Sequence, residues 1–168
     1  MWPFNKKKKT GRWSMNHPTL GTVSESDSLS DAYKATIQFL GSPLEIQIIP
    51  DDRSIEESVT FTATIVAELE SLERKAMKIA IRDLRPMYNG GWNEYDVRQS
   101  DGTLNSVRNP ELSESEFEEK LSLSAISVTG NQCIDFWFKN SNLFWGHKTY
   151  VTCLDGLDLS DARAELFG

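Results

Sequence analysis

The chain has few of the residues that most often carry catalysis or bind metals. It contains two histidines and two cysteines in 168 residues, which are too few for a metal cluster built from these residue types alone. No apolar run approaches the length of about 18 residues that marks a membrane-spanning helix. The first residues also lack the apolar stretch of a secretory signal. Neither a phosphate-binding glycine-rich loop nor a nucleophile elbow is present.

The two cysteines, Cys133 and Cys153, both fall in segments that we predict to be strands. We interpret them as buried thiols, which are typical of a reducing cytosol, and we therefore expect a cytoplasmic protein. If the two strands are neighbours, the thiols could lie close together, so a disulfide stays open as the alternative.

Basic residues are scarce outside the first twelve positions. Residues 1–12 hold five bases and no acid, which leaves 13 bases against 25 acids and a formal net charge of −12 in the remainder. Such a charge repels phosphate backbones and argues against nucleic-acid binding by the folded domain. It favours a basic partner. We predict a basic, disordered tail over residues 1–16, and the aromatic residues of 1–13 predict a weak contact with an anionic membrane surface.

The apolar pattern predicts two groups of strands on either side of a helical region. Alternation predicts strands over 17–23, 33–40 and 44–49, and again over 123–128, 133–139 and 147–154. A capping box at Ser54–Glu57 begins a long helix with apolar residues at helical spacing, which ends near Pro86. A second capping box at Ser113–Glu116 begins a short helix.

Two polar segments carry little pattern of their own. We predict a loop over residues 92–109 and a frayed helix or coil over residues 160–166. The order β-β-β-α-α-β-β-β then predicts a single α+β domain over residues 17–168. Its sheet is mainly antiparallel, with about six strands, and one long helix packs on one face.

His147 is the strongest candidate for catalysis. A histidine beside a carboxylate can act as a general base, and Asp135 on the preceding strand or Glu94 could supply that carboxylate. This arrangement would suit a small hydrolase or a ligand-binding enzyme. The alternative is a structural histidine whose ring orients the last hairpin, and we favour it. Because no second histidine follows at metal-ligand spacing, we predict no metal and no cofactor.

Aromatic residues crowd into the segment 133–151. On a strand, Phe136 and Phe138 point to one face and Trp137 to the other. One face must contact the core, and the remaining aromatic residues favour either further core packing or a partner-binding patch. The residues that we predict to bind are Trp92, Glu94, Trp137, Phe144, Trp145 and His147.

Four motifs together carry a resemblance to a known family. They are His17-Pro-x-Leu-Gly21, Met87-Tyr-Asn-Gly-Gly-Trp92, Phe117-x-x-Lys-Leu-x-Leu-x-x-Ile126 and Phe136-x-Phe-x-x-x-x-Leu-Phe-Trp-Gly-His147. Over roughly residues 17–157 the chain resembles a bacterial family of uncharacterised proteins, the domain of unknown function two-two-six-two. That family brings no established activity or catalytic residues.

Small acidic domains of this kind are similar to immunity or accessory proteins. We therefore expect a non-enzymatic, acidic binding module that contacts another protein, and the acidic charge favours a basic one. The alternative is the small hydrolase or ligand-binding enzyme that uses His147.

Overall fold

An eight-stranded sheet is the scaffold of the protein. The computed structural model describes residues 13–130 and 132–168. The strands follow one another across the sheet in chain order, and among these residues all neighbouring pairs except one are antiparallel. They are β1 (Ser14–His17), β2 (Gly21–Glu25), β3 (Tyr33–Phe39), β4 (Ser42–Ile49), β7 (Ser122–Thr129), β8 (Cys133–Lys139), β9 (Lys148–Cys153) and β10 (Arg163–Phe167).

Three α-helices connect and cover this sheet: α1 (Ile55–Ala67), α2 (Leu69–Met87) and α3 (Glu114–Glu118). Both capping boxes are confirmed, since the hydroxyls of Ser54 and Ser113 accept hydrogen bonds from backbone amides three residues later. The predicted long helix is interrupted at Glu68, where φ is −106°. The longer part, α2, has 19 residues and a polar outer face.

The core lies between the helices and one face of the sheet. Four fully buried residues, Ile46, Ile126, Phe136 and Val151, follow one another across strands β4, β7, β8 and β9 in register. The stripe of α2 that packs towards them includes Leu72, which is also fully buried. Because side chains alternate along a strand, the residues next to Phe136 in β8 point to the opposite, open face of the sheet.

The α+β class is confirmed, whereas the prediction of about six antiparallel strands is wrong. The predicted strand 17–23 contains a turn at residues 18–20 and forms two strands, β1 and β2. Residues 160–166, which we expected to be a frayed helix or coil, contribute to strand β10. The β4–β7 pairing is parallel because the helices between these strands return the chain to the end of the sheet at which β4 begins. Parallel pairs require such a crossover connection.

The predicted loop 92–109 is also wrong over most of its length. It forms a separate two-stranded hairpin of β5 (Glu94–Arg98) and β6 (Leu104–Arg108). Nine of its ten strand residues are exposed, and only Val107 is partly buried. A strand that buries neither face leaves no alternation in its sequence, so the pattern on which strand prediction depends is missing here.

Strand β1 begins inside the segment that we assigned to the tail. Residues 14–16 pair with β2, and Trp13 packs edge-on against Tyr33 with ring centroids 4.8 Å apart. Residues 1–12 lie outside the described residues, so the disordered tail and its membrane contact stay predictions. In the part of the chain that is described, no helix is long and apolar enough to cross a membrane.

The cysteines are free thiols. Cys133 points to the open face of the sheet, whereas Cys153 lies on the buried face of the neighbouring strand. The Cys153 thiol donates hydrogen bonds to Asp161 Oδ1 at 2.9 Å and to the Gly156 carbonyl at 3.2 Å. Burial and then the hydrogen bond to Asp161 raise the pKa of Cys153 to about 11. This contact fixes the turn that leads into β10.

We expect the free energy of unfolding to decrease at alkaline pH because of Cys153. A thiol whose pKa is higher in the folded state stabilises the fold fully below its unfolded pKa of about 8.5. That contribution is lost as the pH rises through about 11. The difference in unfolding free energy between wild type and Cys153→Ala, measured with denaturant, should therefore shrink between pH 8 and pH 11. A difference independent of pH would contradict the assignment.

Candidate functional site

The two aromatic motifs of the sequence meet at one corner of the fold. The chain leaves α2 through a π-helical turn, Tyr88–Trp92, and the loop 140–147 joins β8 to β9. The ring of Trp92 lies 5.3 Å from Trp145, 5.2 Å from His147 and 5.6 Å from Phe144, measured between centroids. We call these four residues the aromatic corner. Residues about fifty positions apart in the chain thus form one cluster.

Buried residues hold the loop of the aromatic corner in place. Phe144 is fully buried and packs against Tyr88 and Phe117 at centroid distances of 6.2 and 6.3 Å. The buried amide of Asn140 donates to the His147 carbonyl at 2.8 Å and to Thr149 Oγ1 at 2.9 Å. These bonds close the two ends of the loop on each other, while Trp145, near its end, stays exposed.

Trp145 is held in an unfavourable backbone conformation. Its φ is +50°, and its side chain is 51% exposed. A left-handed conformation costs an L-residue other than glycine about 1–2 kcal/mol. The next residue, Gly146, has φ +93° and accepts such a conformation without strain. A large exposed indole kept at a strained position is the kind of outlier that motivates a functional hypothesis.

Carboxylates lie on one side of Trp145. Glu94 and Asp96, on strand β5, line a shallow depression of about 510 Å³ together with Trp145. Glu94 forms an ion pair with Arg108 at 3.0 Å. The side chain of Asp96 has no ion pair and no hydrogen bond with any residue that the structure describes. The depression therefore offers an aromatic face and a free carboxylate to the same ligand group.

Apolar residues also lie beside Trp145. A second shallow depression is lined by Met87, Gly90, Gly91, Trp92 and Trp145. Met87 is 43% exposed, at the end of α2. The corner thus presents a hydrophobic surface and an acidic surface that share Trp145, a combination that suits contact with a protein side chain.

Asp135 and His147 do not lie together. Asp135 is paired with Thr152 on β9, five residues after His147, which corresponds to about 16 Å along a strand. Burial raises the pKa of Asp135, and a hydrogen bond to Thr152 partly opposes this effect. Within the described ranges, no carboxylate forms an ion pair or hydrogen bond with the His147 ring. The ring packs edge-on against Trp92 instead.

The structure brings together all of the predicted binding residues except Trp137. Trp92, Phe144, Trp145 and His147 form the aromatic corner, and Glu94 lies beside it. Trp137 lies on the open face of the sheet, stacked on Tyr150. Sequence reasoning missed Asp96, because its position depends on a hairpin that we did not predict. Within residues 13–130 and 132–168, no group of three metal-binding side chains is close enough to hold an ion.

The match to a protein family includes the aromatic corner and almost all of the described chain. A family model described as an uncharacterised protein conserved in bacteria, DUF2262, matches residues 17–162. The matched range includes both aromatic motifs and ends just before strand β10. The chain matches no curated protein and no solved structure.

We expect His147 to stabilise the fold through Trp92. Edge-to-face aromatic pairs contribute about 0.5–1.5 kcal/mol beyond their buried area. The variants His147→Ala and Trp92→Ala and their combination, measured by denaturant unfolding, should give a coupling energy in this range. Additivity within about 0.3 kcal/mol would show that the ring contact has no structural role.

We also expect the strain at Trp145 to be measurable. Trp145→Gly relieves the left-handed conformation, whereas Trp145→Ala retains it, and glycine loses more entropy on folding. On balance, the glycine variant should be more stable than the alanine variant by about 0.5–1 kcal/mol. Comparing these two variants cancels the lost contacts of the indole. If Trp145→Ala were more stable than Trp145→Gly, the backbone at this position would not be strained.

Proposed function

The chain belongs to the bacterial family DUF2262, and we propose that it is a non-enzymatic binding module. Its aromatic corner holds a basic side chain of a partner protein. The observation that carries this proposal is the half-exposed Trp145, kept at φ +50° beside the unpaired carboxylate of Asp96. A lysine or arginine placed between them would gain a cation–π contact and an ion pair at once.

Arginine is the residue that suits this depression best. Its planar guanidinium can stack on the indole of Trp145 while its N–H groups reach the carboxylate of Asp96. The ion pair between Glu94 and Arg108 fixes the neighbouring strand positions. The apolar depression around Met87 would take an aliphatic or aromatic side chain next to that arginine.

The charge of the whole domain supports a basic partner. Residues 13–168 carry a formal net charge of −12, which attracts a positively charged protein over distances longer than any single contact. Such steering raises the rate of association more than the final affinity, and salt screens it. The contacts at the aromatic corner would then supply the specificity.

We further propose an immunity-like or accessory role in the bacterial cytosol. In that role the domain would mask a basic effector protein. The alternative of a hydrolase has less support, because Asp135 lies away from His147 and Glu94 is paired with Arg108.

The proposal predicts that Trp145 decides whether a partner is retained. Immobilised wild type should capture a basic protein from native cell extract at low salt and release it as the salt rises. With the captured protein purified, Trp145→Ala should weaken binding about thirtyfold, as expected for an aromatic hot spot of about 2 kcal/mol. Asp96→Asn should weaken binding several-fold and reduce its salt dependence.

Leu40→Ala is a matched control for this experiment. Leu40 is also bulky, exposed and at positive φ, 49°, but lies in the β3–β4 turn. It should bind like wild type. A partner whose affinity is unchanged by Trp145→Ala would overturn the proposed site. Capture of nothing above background, at low and moderate salt, would count against the binding module itself.

A further inference from the structure

The open face of the sheet carries a groove on the side opposite to the helices. Small residues, Ala125 and Ser127 on β7, form its floor. Trp137 and Phe167 line one wall, and Glu45 lies on the other. The groove has a volume of about 360 Å³, which is within the range of about 300–1,000 Å³ found for small-molecule sites.

The aromatic wall of the groove is held in one arrangement. The ring of Trp137 stacks on Tyr150 with centroids 4.8 Å apart and planes 22° apart. Its indole N–H donates to Ser127 Oγ at 3.0 Å, and Phe167 packs against it edge-on at 5.9 Å. The hydroxyl of Tyr150 donates to Glu165 at 2.8 Å. A ligand would therefore meet an apolar surface that is already ordered, which reduces the entropy cost of binding.

Two lysines, Lys139 and Lys148, line the same groove. The β8–β9 register pairs Phe138 with Thr149, so its next step places Lys139 directly opposite Lys148. Like charges at directly opposite positions destabilise a sheet. Neither ammonium group forms an ion pair with any carboxylate of the described residues. This pairing is notable in a chain with 25 acids and 18 bases, where acidic partners are abundant.

We propose that this groove binds a small amphipathic carboxylate. The apolar body of the ligand lies along Trp137 and Phe167, and its carboxylate lies between the ammonium groups of Lys139 and Lys148. Glu45 on the opposite wall repels a second negative charge, so the site selects a single anionic group at one end of the molecule. This site is separate from the aromatic corner and does not depend on the function proposed for it.

Nuclear magnetic resonance with a matched pair of probes tests this assignment. The probes are 3-phenylpropionate and its uncharged amide, 3-phenylpropionamide, which have nearly the same shape. The carboxylate should cause saturable shifts at the indole N–H of Trp137 and at the backbone amides of Ala125 and Ser127. We expect the amide to bind at least tenfold more weakly. Equal affinities, or shifts that map to another surface, would overturn the proposal.

Paired lysine variants separate a specific site from general charge attraction. The double variant Lys139→Gln and Lys148→Gln should lose the preference for the carboxylate. The double variant Lys75→Gln and Lys78→Gln changes the net charge equally on exposed positions of α2, and should keep that preference. If both double variants bind the carboxylate as wild type does, the lysine pair is not the anion site.

The folding of these variants can be checked in the same samples. Since Lys139→Gln and Lys148→Gln remove a like-charge pair, the double variant should melt at or above the temperature of wild type. Loss of binding in a variant with an unchanged melting temperature supports the site. A sharply lower melting temperature would show that the two lysines stabilise the sheet, which contradicts the repulsion on which the assignment depends.

Discussion

The register of the eight-stranded sheet is the constraint on which both candidate sites depend. One face must carry the apolar side chains that meet α2, so Phe136 and Phe138 are committed to the core. Trp137, which lies between them in β8, must then point to the open face. A slip of one residue would exchange these faces and bury Trp137 in place of its neighbours. The aromatic wall of the groove is therefore a consequence of core packing, and it needs no separate folding signal.

The aromatic corner depends on a second balance, between burial and backbone strain. Burying an aromatic side chain such as Phe144 contributes about 1.5–3 kcal/mol. The left-handed conformation of Trp145 costs about 1–2 kcal/mol. The free energy gained by burying Phe144 and Leu143 therefore exceeds the cost of the left-handed conformation of Trp145. Asn140 also closes the loop with two hydrogen bonds. A loop anchored in this way can present an indole to solvent without losing its shape.

The sequence was sufficient wherever local chemistry or one buried face determined the structure. The capping boxes at Ser54 and Ser113 are local, and the alternation of β8 reflects burial on one side. Strand β10 escaped prediction because distant groups hold it, such as Asp83 Oδ2, which accepts a hydrogen bond from the Ala164 amide at 3.0 Å. The sequence could not decide whether Asp135 lies beside His147, because the strand register that pairs Asp135 with Thr152 is not recorded in any short motif.

The two proposed sites are joined by a single loop. Lys139 directly precedes the loop 140–147, and Lys148 directly follows it. Repulsion between these ammonium groups therefore acts at the base of the segment that carries Trp145. An anion between them would remove that repulsion and hold the two strand ends together at the base of the loop. If the loop is more rigid with the groove occupied, binding at the corner gains affinity. By linkage, a partner at the corner must then favour the anion to the same extent.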